Sequence, residues 1–508
     1  MKQKITFLLL AVFTTVLSAQ TVNIQGNPYG GNPYATITAA ISAADDGDVI
    51  LITGVHTESI AFNKSITLRG TDPTTDIIQA AATASSDGSG SRVIGMGEGN
   101  RTITIENLGI RYGNANSNTN GGGINVEKVT GLVTLKNLII EDNYSAKNGG
   151  GLSFVGSNVD VIECTIRNNT SALDGGGVIA SPNNGSGINC IVNIEQSLID
   201  SNTGRNGGGI YINGNNGFGN DYTIDFNVEN STVSNNSATS GSTGPNDGGG
   251  AIWCKVAKWT TNAGGDGVSG NINLKFIHAT VYKNSHAGSI KSGLRFTGTV
   301  GYKTNFSAFN SIIVYDDTSK KSISFANANL TEMVNCILGG LDAAAGANPI
   351  IDDAAKNNEK GRTATFAGLT GTLTSEGGST QVLAITDASN SDDYCTAATG
   401  ITLPTIDQRG YTREGTPDAG AYEFGGTLSS ETPIVLSNVK VYPNPASEFV
   451  YVEGINQIES IEVYSVLGVL EKTITGKNYL DTSELSSGIY LLIIKNNSSS
   501  ITKRLVVN

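Results

Sequence analysis

The chain has 508 residues, and its 32 basic against 45 acidic side chains leave a formal charge of −13, which argues against nucleic acid or an anionic membrane surface as a partner. Glycine is 64 residues, about 13% against a usual ~7%, with 11 prolines and 15% charged residues, so collagen, coiled coil and a charged disordered chain are excluded. Three histidines make a multi-histidine metal site improbable, while abundant Gly and Asn point to many tight turns, because both tolerate left-handed backbone angles.

Met1 to Ala19 places Lys2 and Lys4 before an apolar stretch from Ile5 to Leu17 and ends on Ala19, the pattern of a secretory signal peptide. A membrane anchor needs roughly 18 or more apolar residues, and Thr14 and Thr15 break this stretch. No later segment is apolar enough to span a bilayer. Ala35 to Ala44 (ATITAAISAA) is an amphipathic, Ala-rich stretch before the strand Val49 to Ile52, and is expected to be a cap helix. His56–Ile60 and Ser65–Leu68 then supply the first rungs.

Between Arg101 and Leu338 one strand-turn-strand phrase recurs eight times, from ITIENLGI to LTEMVNCIL. Aligning the phrases gives a turn column of Asn107, Asn137, Glu163, Gln196, Asn230, His278, Asn310 and Asn335. Three residues later comes an apolar column of Ile110, Ile140, Ile166, Ile199, Val233, Val281, Ile313 and Leu338. A second phrase lies between the first: Asn120, Asn148, Asp174, Asn206 and Asp247 each precede Gly-Gly-Gly, and Ser292-Gly-Leu follows in the next coil. Each period therefore holds three short strands. Such strands bury their apolar faces only by stacking coil on coil, about 4.8 Å apart. The expected fold is all-β, a right-handed parallel β-helix with an amino-terminal cap helix and an Asn-type ladder in the turn column. Cys164 and Cys336 fall in a small inward column with Ser197, Ser231, Ala279 and Ser311, too far apart to meet. The five cysteines are expected to form no disulfide or one.

From 339 to 406 the repeat is too degenerate to follow. Asp407-Gln-Arg-Gly-Tyr-Thr-Arg413 and Asp418-Ala-Gly-Ala-Tyr-Glu-Phe424 come next. Asp407, Arg409, Arg413 and Asp418 are expected to form a charged turn network closing the carboxyl end of the solenoid, so residues 20–424 are taken as one domain. This portion resembles the right-handed β-helix proteins of the pectate-lyase-like superfold. Its NGGGI phrases are similar to repeats of polymorphic outer-membrane proteins. The 407–424 motif resembles the closing motif of bacterial surface proteins of the choice-of-anchor Q group, with Glu414 where that group often has Pro; no biochemical activity comes with that resemblance.

After the polar linker 425–432, residues 433–508 change texture. Alternating Val, Ile, Tyr and Leu between Gly and Asn turns predict a small Ig-like antiparallel β-sandwich of about seven strands. The segment Tyr442-Pro443-Asn444-Pro445, the turn Tyr464 to Gly468, the strand Leu485 to Tyr490 containing Gly488, and the end Lys503-Arg-Leu-Val-Val resemble the type A C-terminal sorting domain of the type IX secretion system. The resemblance implies secretion machinery as a partner, and a location at the outer-membrane exterior of a Gram-negative bacterium.

The superfold hosts polysaccharide lyases and hydrolases, so fold alone does not settle function. A carbohydrate-active enzyme of this build needs carboxylates on adjacent rungs, as calcium ligands or as an acid and base pair. Alternation after each Gly run puts Ile124, Leu152, Val178, Ile210, Ala251 and Leu294 inward. The outward column is then Asn125, Ser153, Ile179, Tyr211, Ile252 and Arg295, without an acid. Asp174 and Asp247 are separated by the Asn206 rung, so calcium is not indicated and no cofactor is expected. Paired acids such as Asp316-Asp317 and Asp352-Asp353 read as solvated turns. The long coil between Asn230 and His278 holds both tryptophans, Trp253 and Trp259, beside Lys255 and Lys258. With Tyr211, the residues Trp253, Lys258 and Trp259 are candidates for stacking on sugars. The leading reading is a non-catalytic exported surface protein for adhesion or glycan binding. The alternative is a polysaccharide lyase with Lys291 or Arg295 as base and His278 assisting.

Overall fold

The computed structural model describes residues 20–26, 31–182, 189–214, 222–241, 248–256, 270–288, 293–298, 303–326, 329–396, 401–428, 440–446, 448–453, 458, 460–465, 470–496 and 499–507. The chain winds as a parallel β-helix with three long walls. The first wall has eleven strands, from Thr21–Ile24 through Val49–Thr53 to Asn329–Val334, and the second has ten, from Val55–Thr57 to Ile337–Leu338. The third wall also has ten, from Ile60–Phe62 to Gly340–Leu341, and a minor strip of six two-residue strands runs from Asn114–Ala115 to Ser285–His286.

The corner between the first two walls explains the turn column. All eight residues, Asn107 to Asn335, have φ between 43° and 57°, the left-handed region that Asn reaches at least cost among non-glycine residues. Their side chains bond along the axis where chemistry allows: Asn137 Nδ2 donates to Asn107 Oδ1 and Asn335 Nδ2 to Asn310 Oδ1, each at 2.9 Å. Three residues on, Ile110, Ile140, Ile166, Ile199, Val233, Val281, Ile313 and Leu338 pair in direct register, and each is 0% exposed. A second ladder, unforeseen, lies deeper. In the file Asn143, Asn169, Asn202, Asn236 and Asn284, each of the first four donates from Nδ2 to the Oδ1 of the next at 2.9–3.0 Å. They follow the turn column by a constant six residues, and a left-handed residue precedes each one.

The helix Ile37–Ala43 covers the amino end and buries Ile37, Ala40 and Ile41. Its first amides, Ile37 and Thr38, donate to the Glu58 carboxylate. Lys64 Nζ donates to the carbonyls of Ile41, Ser42 and Ala44 at the other end, so both helix termini are satisfied by opposite charge. All five cysteines are free and buried.

The carboxyl end departs from expectation. Ala345 and Ile351, in and after the short helix Ala343–Gly346, join the main core and close that end. The 407–424 motif instead lies on the flank. Residues 364–396 and 401–424 lie along the corner between the first two walls as a strap: Thr396 O accepts from Asn335 Nδ2 at 2.7 Å, Gly420 N donates to Asn310 O at 2.8 Å, Arg413 Nη2 to Asn230 Oδ1 at 2.9 Å, and Gln196 Nε2 to Asp407 O at 3.4 Å. Apolar residues of the second wall drive the docking. Tyr282, Ile312, Val314 and Ile337 form a second core with Ala367, Val382, Leu383, Ile385, Cys395 and Tyr422. Above it Arg413 pairs with Glu423 at 3.0 Å and Arg409 with Asp407 at 2.7 Å, all four side chains at most 5% exposed. The charged network is therefore a clasp for the strap.

Residues 428–508 form a separate compact unit. It contains a three-stranded antiparallel sheet (Lys440–Tyr442, Phe449–Glu453, Tyr479–Asp481) and a four-stranded one (Leu470–Thr475, Ser460–Ser465, Gly488–Asn496, Ser499–Val507). Val450, Val452, Ile461, Val463, Leu480, Leu492, Ile494 and Leu505 fill the space between them.

Candidate functional site

The third wall carries the groove. Its outward file runs Ala61, Gly95, Asn125, Ser153, Ile179, Tyr211, Trp253, Arg295 in strict register. The register corrects one expectation: Ile252, not Ala251, pairs with Ile210 and points inward, so Trp253 takes the outward place. The reason is a small-residue lead-in one longer in that coil, Gly248 to Ala251, with Ala251 O accepting from Gly209 and Ile210 N–H.

Large side chains fill the upper half of this file. Tyr211 and Trp253 stack with centroids 4.7 Å apart at 19° and, with Ile179, make a buried cluster outside the tube. The Trp253 Nε1–H donates to Thr297 Oγ1 at 3.0 Å, and Lys255 Nζ lies 5.0 Å from the indole. These two rings occupy each other's faces rather than presenting an open platform. Trp253 is 2% exposed, Tyr211 4%. Lys258, Trp259 and Lys291 lie outside the described residues.

Of the candidates for base chemistry, the described residues Arg295 and His278 are not brought together. Arg295 is 4% exposed and donates from Nη1 to Ser324 Oγ at 2.8 Å. His278 sits at the opposite corner, between the first and second walls, fully buried with Nε2 at 2.9 Å from Asn310 Nδ2. Burial, reinforced by the Arg413 charge, pushes its pKa well below the ordinary imidazole range. The packed tube stands between His278 and Arg295.

The lower half of the file is open, because Ala61 and Gly95 add almost no bulk there. Two adjoining depressions of about 450 and 520 Å³ share Arg92, Asn125 and Glu127. One continues over Asn118, Thr119, Asn120, Lys128, Lys147 and Asn148, and the other over Phe62, Met96 and Glu98. Burial draws the Arg92 pKa down while the Glu127 charge supports its protonated form. Glu98 accepts a hydrogen bond from Lys128 Nζ at 2.5 Å, which raises the lysine pKa. Among the described residues the buried Asn120 amide oxygen has no hydrogen-bond partner, a costly condition that a polar ligand or water relieves. Glycine shapes the rim: Gly121 has φ +70°, and a Cβ on Gly122 would lie 2.3 Å from Tyr144 O, so a larger residue there would push the coils apart. Among the described residues no three His, Cys, Asp or Glu side chains stand together as a metal site. Of the groove residues, the sequence singled out Asn125 and Ile179 in the outward column and Asn120 and Asn148 before the Gly runs.

The sorting segment of the second unit is placed as follows. Asn444 Nδ2 donates to Arg504 O at 2.7 Å and its Oδ1 accepts from Val506 N–H at 2.9 Å, tying the Pro443 and Pro445 turn to the last strand. Gly488 opens a strand in register with Val507, Lys503 pairs with Leu492, and Gly468 lies outside the described residues. Residues 440–508 match the family model of the secretion system C-terminal sorting domain. The tail marks the chain as exported by type IX secretion to the cell surface. No curated protein matches the chain, and no helix among the described residues is long and apolar enough to cross a membrane.

Proposed function

We propose that the exported β-helix is a non-catalytic surface module that binds carbohydrate in the groove of its third wall. The observation that carries this reading is the pair of confluent depressions floored by Asn125 and edged by Arg92, Glu127, Lys128, Lys147 and Asn148. Planar amides, a carboxylate and cations held on rigid strands suit the paired hydroxyls of a sugar ring, and a solenoid offers an extended ligand successive coils at even spacing. In this reading Tyr211 and Trp253 support the upper end of the groove, and Lys258 and Trp259 belong to the same long coil. Adhesion follows from display at the cell exterior.

The test uses the full exported chain on a broad glycan array, followed by calorimetry on the best ligand. Lys147→Ala combined with Glu127→Ala should weaken binding at least tenfold with an unchanged unfolding midpoint. Unchanged affinity, or silence across the array, would refute the reading. Accumulation of unsaturated sugar products would replace it with a lyase.

A further inference from the structure

The sorting unit carries an aromatic row that its own fold does not use. Tyr442 pairs in register with Tyr451, and Tyr451 with Tyr479. Their ring centroids lie 6.2 and 6.3 Å apart, and Phe449 stands 6.4 Å from Tyr479. All four remain open, at 46%, 44%, 37% and 40% exposure in the order Tyr442, Tyr451, Tyr479, Phe449. On the same strands Val450, Val452 and Leu480 point inward and are at most 3% exposed. The core is thus complete without the row. A sheet face turned to water ordinarily carries polar residues at these alternate positions, and a contiguous exposed aromatic patch marks a contact surface.

We infer that the secretion machinery reads this unit through the row Tyr442, Tyr451 and Tyr479 with Phe449, in a transient protein–protein contact. This inference rests on the sorting-domain match and is independent of the carbohydrate reading.

Three observations select that occupant. First, Tyr442 opens the turn through Pro445, and the Asn444 side chain locks that turn to the last strand, so the first ring of the row is held in place by the same segment that identifies the unit. Second, the open parts of four rings amount to roughly 300 Å², taking about 200 Å² for a whole aromatic side chain. A stable complex buries about 800 Å² on each partner, so the row alone is too small to hold two copies together. It suits a contact that must later release its cargo. Third, neighbouring rings are inclined by 33°, 43° and 62°. Tilted rings leave no common plane for a sugar chain to stack on, whereas protein side chains interdigitate between them. Lys477, with its ammonium 5.5 Å from the Tyr479 ring, gives the row a cationic end.

The experiment expresses the full chain in a bacterium that has type IX secretion and measures the surface and envelope fractions by immunoblot. Tyr451→Ser with Tyr479→Thr should reduce surface product at least tenfold and leave the chain inside the envelope, with the unfolding midpoint of the second unit retained. Leu470→Thr with Leu491→Thr alters exposed apolar residues of the other sheet and should leave export unchanged. Wild-type export from the tyrosine variant, or equal loss from both variants, would overturn the inference.

A photoreactive phenylalanine at position 449 keeps the ring in place and so covers the case in which the tyrosine variant does not fold. Its adduct should contain an outer-membrane component of the export apparatus, identified by mass spectrometry. An adduct with carbohydrate or with a second copy, or no adduct, would overturn the proposal.

Discussion

Replacing Asn202 by alanine removes four hydrogen bonds from the interior of the tube. Its Nδ2 donates to Asn236 Oδ1 and to Ile166 O, both at 2.9 Å, and its Oδ1 accepts from the backbone N–H and the Nδ2 of Asn169, both at 3.0 Å. Asn202 is 0% exposed, so water does not replace the lost partners. Asn169 Nδ2 keeps the Ile140 carbonyl, and Asn236 Oδ1 keeps the Asn202 N–H. The Asn169 N–H and the Ile166 carbonyl lose these partners. At about 1–3 kcal/mol for each of these two orphaned buried groups, the expected loss is about 2–6 kcal/mol. Urea unfolding followed by tryptophan emission measures it, and amide exchange at Asn169 reports it locally. Asn202→Asp should cost more at pH 7 and recover on acidification, because a buried carboxylate must first be protonated. The comparison change, Asn137→Gly at the half-buried corner, keeps the left-handed φ of 47° accessible and removes a single ladder bond at 2.9 Å. A loss at Asn202 below about 1 kcal/mol, or no larger than at Asn137, would show that the deeper ladder does not hold the coils together.

Burial, with a smaller push from the Glu423 charge, raises the Asp418 pKa from 3.8 to about 7. The folded protein then binds the extra proton between those values, so this contribution is full below about pH 4 and gone above about pH 7, at most on the order of 4 kcal/mol; Asp418→Asn should flatten that part of the stability profile. Arg413→Met leaves Glu423 buried without its partner and should cost about 3–5 kcal/mol, first visible as proteolytic cleavage within 364–424. Burial also lifts the thiols of Cys164 and Cys336 to about 12 and of Cys190 to about 11. Alkylation at pH 8 should therefore spare all three until urea is added, and mass spectrometry of labelled peptides distinguishes the outcomes.

Much of the solenoid was legible because each coil obeys the same local rule. A left-handed corner must recur at one place per turn, which favours Asn, and the residue three positions later must point inward, which favours Ile and Val. Both columns, from Asn107 and Ile110 onward, stand in the chain as fixed offsets. The deeper ladder from Asn143 to Asn284 obeys an offset just as constant, but its residues look like ordinary turn asparagines until the coils are stacked. The slip at Ala251 arose where the small-residue lead-in lengthened by one, since a one-residue shift exchanges the two faces of a strand.

Repetition and local chemistry encode a stack of three-stranded coils, a cap helix, and a tail of different texture, and all three are readable from the chain alone. Tertiary structure alone decided where the strap goes, because Arg413 meets Asn230 across 183 residues and Asp407 meets Gln196 across 211, with no period to announce either. It also decided which outward residues stay open. Tyr211, Trp253 and Arg295 are buried in the same file in which Ala61 is exposed and Gly95 half-buried; whether a side chain faces water depends on the bulk of its neighbours one coil away.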